Sequence, residues 1–169
     1  MAKVAFLLAP DFEDSEMKNP YEEMKRAGHD TVIIGNESGV TCTGKKRTVS
    51  YVTEVAASEV NADELDAIII PGGSAPEELR VNQDTVQLVK RLNERSKVIA
   101  GICHGPQVMI SADILKGKES TSYIGIRDDV INSGATYLDK EVVVSENIIT
   151  SRTPKDEPAF IREILNKLL

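Results

Sequence analysis

The sequence predicts an α/β domain built on a mainly parallel sheet with helices on both faces. Short, nearly continuous apolar runs rich in β-branched residues recur at Val4–Leu8, Thr31–Ile34, Ala67–Ile70 and Lys97–Ala100. Runs of that kind suit strands covered on both faces. Helical patterns around 14–27, 77–95 and 104–115 separate them, and such alternation implies parallel strands joined by crossover helices. A hydrophobic content of 41% over 169 residues suffices for a full core without disulfides or a metal.

Between about 36 and 60 the pattern weakens into Gly- and Thr-rich turns, with Thr48–Val52 predicted as a small strand. Glu141–Val144 and Ile148–Ser151 flank Ser145-Glu146-Asn147 and read as a strand pair with a tight turn. The last helix is expected to start near Pro154, since proline suits a first helical turn. Its apolar side is Ile161, Ile164, Leu165 and Leu168. No repeat, linker or low-complexity segment interrupts the chain, so 1–169 reads as one domain.

A net charge of −7 without any basic stripe argues against nucleic acid or an acidic membrane as partner. Cys42 and Cys103 are the only cysteines. No Cys-x-x-Cys pair or Cys/His cluster accompanies them, so neither a metal nor another cofactor is expected. The apolar run Val4–Ala9 is too short for a signal h-region and is followed at once by acids. Both thiols are therefore expected to be free, in a reducing, cytoplasmic compartment.

The segment Lys97–Gln107 is the most informative. An apolar strand runs into Gly101-Ile102-Cys103-His104-Gly105 and then into the amphipathic stretch Pro106–Leu115. This is a Gly-x-Cys-x-Gly form of the nucleophile elbow, with glycines where neighbouring side chains would obstruct a strained turn. The turn exposes the thiol at the carboxyl edge of the sheet, where α/β proteins place their sites. A helix N-terminus there is expected to favour thiolate and lower its pKa. A second strand-to-helix turn, Pro71-Gly72-Gly73, opens on the same edge. The amides of Gly73 and His104 could together form an oxyanion hole.

Few groups can assist the thiol. The histidines are His29 and His104, so a triad whose histidine lies far downstream of the nucleophile is excluded. His29 precedes the second strand, at the opposite edge of the sheet, and is expected to be structural. Consecutive residues do not face each other on a helix, so His104 points away from Cys103 unless the irregular backbone of the elbow brings it back. The acidic run Asp11-Phe12-Glu13-Asp14-Ser15-Glu16 follows the first strand and reaches the carboxyl edge. Such acids complement a helix dipole, and Asp11 or Asp14 could cap the helix. One of these carboxylates could also reach the thiol, repelling a thiolate when ionised and stabilising it by a hydrogen bond when protonated.

With these features in place, the chain resembles the ThiJ/PfpI family of intracellular cysteine-protease-like proteins over nearly its whole length. The matching segments are Asp11–Asp14, Pro71–Gly73 with Ala75–Glu77, Ile102-Cys-His-Gly-Pro-Gln107, Thr121–Asp129, and Val142–Val144 through Thr150–Arg152. The resemblance implies a flavodoxin-like three-layer sandwich with a nucleophile elbow, of the class I glutamine amidotransferase type. It makes Cys103 the nucleophile, Glu13 the carboxylate hydrogen-bonded to the thiol and His104 the neighbouring histidine. Glu77 matches an acid that orients the histidine from an adjacent subunit, which implies a homo-oligomer. Tyr123 matches a tyrosine lining the pocket. Where many members read Thr-Gly-Lys-His-Gly, this chain has Thr43-Gly44-Lys45-Lys46-Arg47, which removes a histidine near the pocket. The activity implied is hydrolysis of peptides, of damaged protein or of small dicarbonyls, in stress protection. The alternative is a non-enzymatic redox sensor or chaperone that uses oxidation of Cys103.

Overall fold

The computed structural model describes residues 1–169. Its elements in chain order begin β1 (Lys3–Leu7), α1 (Asp14–Arg26), β2 (Asp30–Gly35), β3 (Thr41–Thr43), β4 (Ser50–Val52) and β5 (Val55–Ala56). There follow β6 (Ala67–Ile70), α2 (Ala75–Arg80), α3 (Gln83–Glu94), β7 (Val98–Ile102) and α4 (Pro106–Ser111). The chain closes with β8 (Glu119–Ser120), α5 (Arg127–Asn132), β9 (Thr136–Tyr137), β10 (Val142–Ser145), β11 (Ile148–Ser151) and α6 (Glu157–Lys167).

Seven strands form the main sheet in the order β10-β11-β7-β6-β1-β2-β5, parallel throughout except for β10 against β11. The four apolar runs are β1, β2, β6 and β7. Every residue of β6 and β7 is buried, which is why these strands lack a polar alternation. The crossover β1-α1-β2 runs one way along the sheet and β6-α2-α3-β7 runs the other. Because crossovers are right-handed, the two sets of helices lie on opposite faces. Helix α6 returns to pack beside α1, while α2 and α3 pack against α4. The result is a flavodoxin-like α/β sandwich, as expected.

Local chemistry explains the departures from the sequence pattern. The helix expected over 77–95 is two helices, broken at Asn82, whose side chain accepts the Thr85 N–H and starts α3. The helix expected to run to 115 stops at Ser111, where Asp113 turns left-handed at φ 56°. The segment 36–60 holds more strand than expected: β3 pairs with β4, and β5 extends the sheet edge. These pieces are two or three residues long, as are β8 and β9, too short to show a period. The expected strand pair is β10 and β11, and a short 3-10 turn at Pro154–Asp156 leads into α6. No helix is long and apolar enough to cross a membrane.

Candidate active site

The order reverses at β1, which has β2 on one side and β6 on the other. The loops leaving β1 and β6 therefore diverge and open a crevice at the carboxyl edge. An isolated bridge between Phe12 and Gly73 ties the two loops together at the base of this crevice. The turn after β7 opens beside it.

At that turn the strained residue is the cysteine itself. Cys103 sits at φ 62°, a conformation that costs a residue with a Cβ about 1–2 kcal/mol. Hydrogen bonds on three sides hold it there. Cys103 N–H donates to Ser151 O at 3.0 Å, Tyr123 N–H donates to Cys103 O at 2.9 Å, and Gly105 N–H donates to Ile102 O at 2.8 Å. Gly105 is required by space, because a Cβ there would stand 2.4 Å from the Ile70 carbonyl oxygen. Gly101 is less constrained, since its Cβ would meet the mobile end of Met109 first.

This backbone resolves the orientation of His104. The left-handed turn brings the imidazole back, and Cys103 Sγ lies 3.3 Å from His104 Nδ1. The ring stacks on Tyr123, with centroids 4.8 Å apart and planes inclined at 28°. Burial and then the Lys45 charge lower the His104 pKa, against an opposing pull from Glu77, so the imidazole is neutral at pH 7 and able to accept a proton. Tyr123 is itself positioned: Ser122 Oγ donates to its carbonyl oxygen, and Tyr137 Oη donates to Ser122 O.

The carboxylates are arranged differently from the expectation for Glu13. Its side chain, 5% exposed, is bonded by Lys46 Nζ at 2.6 Å and Lys45 Nζ at 2.8 Å, and not by the thiol. Burial raises its pKa, but the two lysines outweigh that and leave it lowered. The carboxyl packed behind the thiol is Glu16, fully buried in the first turn of α1. Glu16 Oε1 accepts the Gly72 N–H at 2.8 Å, while Oε2 has no partner. A Cβ built on Gly72 would touch both Glu16 Oε1 and Cys103 Cβ, so only glycine lets the two groups approach. Burial, with the charges of Glu13 and Glu157, pushes Glu16 up to about 8 against the Gly72 hydrogen bond. It is therefore protonated at pH 7.

The thiol pKa corrects the expectation of a lowered value. Burial and then the charge of Glu16 push Cys103 up to about 12, against the His104 N–H and Lys45. Helix α4 begins three residues beyond Cys103 and has only six residues, so its dipole is weak at Sγ. The thiol rests protonated, and its neighbour His104 is placed to take the proton.

Asp14 does not cap α1, and its N-cap residue, Glu13, makes no capping bond to the helix backbone either. Instead Asp14 reaches across to the turn between β3 and β4. Lys46 N–H, Thr48 N–H and Thr48 Oγ1 all donate to its carboxylate at 2.7–2.9 Å. Burial works against ionisation, but the Thr48 and Lys46 hydrogen bonds bring Asp14 down to about 2. Further bonds from Asp11 N–H to Thr43 O and from Lys45 N–H to Phe12 O fasten the same turn. The turn thereby holds Lys45 and Lys46 over a cleft of about 510 Å³ shared with Glu13, Glu16, Cys103 and His104.

Gly73 adopts φ 79°, and a Cβ there would stand 2.4 Å from Asp11 O. Its N–H donates to no backbone carbonyl, nor does that of His104. Glu77 is exposed in the first turn of α2, on the rim of an adjoining hollow that also reaches His104. His29 lies at the amino edge, where its Nδ1 accepts the Ala2 N–H at 3.0 Å, a structural role. Cys42 is buried and free. Sequence reasoning placed Glu16 in the run from which one carboxylate could reach the thiol, but the resemblance singled out Glu13 in its place. It set Lys45 and Lys46 near the pocket but not on Glu13, which lies some thirty residues away in the chain.

A family model described as the DJ-1/PfpI family matches residues 2–167. The chain belongs to the DJ-1/PfpI family. Deglycase PfpI of Pyrococcus furiosus is 46% identical over 166 residues, covering 98% of this chain and 99% of that protein. General stress protein 18 of Bacillus subtilis is 43% identical over 164 residues, covering 96% of this chain and 95% of that protein. Among solved structures, a two-domain protein from Anabaena variabilis contains DJ-1/ThiJ/PfpI-like and ferritin-like domains. It matches with a TM-score of 0.98 at 41% identity, covering 99% of this chain and 48% of its own length.

Proposed function

We propose that this DJ-1/PfpI protein is a cysteine-dependent hydrolase of carbonyl damage, with Cys103 as nucleophile. The observation that carries the reading is Sγ lying 3.3 Å from the Nδ1 of His104, at the mouth of a cleft on the carboxyl edge. The neutral imidazole takes the S–H proton as sulfur bonds to the substrate carbonyl carbon. The carbonyl π electrons move to oxygen, where the N–H groups of Gly73 and His104 are the donors available. Protonated Glu16 keeps a second negative charge away from the sulfur. Glu13 acts on this site through Lys45 and Lys46, and Tyr123 keeps the imidazole in place by stacking. The name deglycase borne by the Pyrococcus relative supports adducts of dicarbonyls with proteins as the substrate class.

Glu77 completes the reading as the acid that orients the His104 of a neighbouring subunit in a homo-oligomer. Its support is an exposed carboxylate on the rim that His104 shares. Cytoplasmic residence fits the two free thiols. The test incubates wild type and Cys103→Ser with methylglyoxal, and separately with methylglyoxal-modified protein and with denatured protein. Loss of adduct or dicarbonyl in wild type alone supports the proposal. Peptide release alone moves the assignment to proteolysis, and no turnover of any substrate refutes the hydrolase.

A further inference from the structure

Two lysines of the loop over the thiol share the one carboxylate that faces them across the cleft. Glu13 supplies one negative charge, and both Lys45 and Lys46 place their ammonium groups on it. These three groups together carry about +1 at neutral pH, and ionised Asp14 offsets part of that charge from the Lys46 side of the turn. Each ammonium has three N–H donors, and one of each is engaged by Glu13. The lysine side chains are 48% and 62% exposed, whereas the carboxylate is 5% exposed, so the unspent donors face solvent and cleft. Lys45 is the nearer charge to the chemistry. It adjoins His104 in both hollows, and its field acts on Cys103, His104 and Glu16. Asp14 and the loop hydrogen bonds hold its backbone fast, so a rigid turn presents this charge.

We infer that Lys45 is a specificity residue that selects carbonyl substrates bearing a carboxylate beside the reacting carbon, with Lys46 neutralising Glu13 so that the Lys45 charge is free to act. This rests on the reading of Cys103 as a thiol that attacks carbonyls. The step is an addition: S–H adds across C=O, sulfur bonds to carbon, and the proton passes by way of His104 to the carbonyl oxygen. A hemithioacetal results, and nothing is oxidised or reduced. Lys45 lines the same cleft as Cys103 and His104, so a substrate carboxylate beside the reacting carbon enters a lysine-lined site. A neutral dicarbonyl makes the same bond without that attraction.

The probes are glyoxylate, which is anionic, and methylglyoxal, which is neutral. The readout is protection of Cys103 from iodoacetamide, followed by mass spectrometry and giving an apparent binding constant for each probe. Using the ratio of the two constants cancels any general effect of a substitution on the thiol. Lys45→Met is expected to lower the ratio of glyoxylate to methylglyoxal affinity about fivefold, the upper scale of one exposed charge contact. Lys45→Arg keeps the preference, Lys46→Met erodes it part-way, and raising salt from about 0.05 to about 0.5 M shrinks it in wild type. A ratio unchanged in Lys45→Met, with methylglyoxal still protecting, overturns the specificity role alone. Failure of both probes to protect wild type overturns the carbonyl-attacking thiol as well.

Discussion

Replacing Glu16 by glutamine tests the electrostatics of the site directly. Glu16 is fully buried with one oxygen unpartnered, and its pKa rises from 4.5 to about 8. That rise corresponds to a cost on the order of 5 kcal/mol for ionising the carboxyl in the folded protein. Below about pH 4.5 the folded and unfolded chains both carry the proton, and the contribution to stability is complete. From there to about pH 8 only the folded chain keeps it, so unfolding free energy falls by about 1.4 kcal/mol per pH unit. Above about 8 both forms are ionised, and the folded state bears the whole cost of a buried charge. Glu16→Gln cannot ionise and lacks this descent. Urea titrations of both proteins between pH 5 and 9 are expected to show the variant gaining on wild type as pH rises, with no gain at the acid end. In the same samples at pH 9, iodoacetamide should alkylate Cys103 faster in the variant, because the charge that opposes the thiolate is gone. Parallel stability profiles with equal alkylation rates would refute the assignment of Glu16 as the proton-holding carboxyl.

Two further substitutions probe how the site is held. Gly105→Ala drives a Cβ into the Ile70 carbonyl and is expected to cost about 3 kcal/mol, whereas Gly101→Ala meets a flexible methionine end and should cost less than half as much; chemical denaturation compares them. Asp14→Asn loosens the turn carrying Lys45 and Lys46. Because the Asp14 pKa is lowered to about 2, its stabilisation is present above about pH 4 and is lost as pH falls toward 2. Wild type should lose stability across that window more steeply than the variant, as acid titration by circular dichroism will show.

Much of the fold was legible because its signals are local. Strands β1, β2, β6 and β7 read as apolar runs since both faces of each are covered, and α1 read from its period. The break between α2 and α3 was hidden because Val81 and Asn82 interrupt an otherwise continuous helical pattern by one cap alone. The strands β3, β4, β5, β8 and β9 were mostly hidden because two or three residues show no period.

At the site, the chain alone determined that Cys103 stands on a tight strand-to-helix turn, since glycine spacing and an apolar strand are properties of neighbouring residues. The family resemblance followed from that segment together with the matching stretches elsewhere in the chain. Tertiary structure decided the rest. Adjacency predicts that His104 turns away, and only the left-handed backbone at Cys103, held by β11 and Tyr123, turns it back. Glu13 and Glu16 are chemically identical and three residues apart. Packing puts one beneath two lysines from a distant turn and seals the other behind the thiol. The pKa of a carboxyl depends on burial and on charges brought close from elsewhere in the chain, and neither is a property of local sequence.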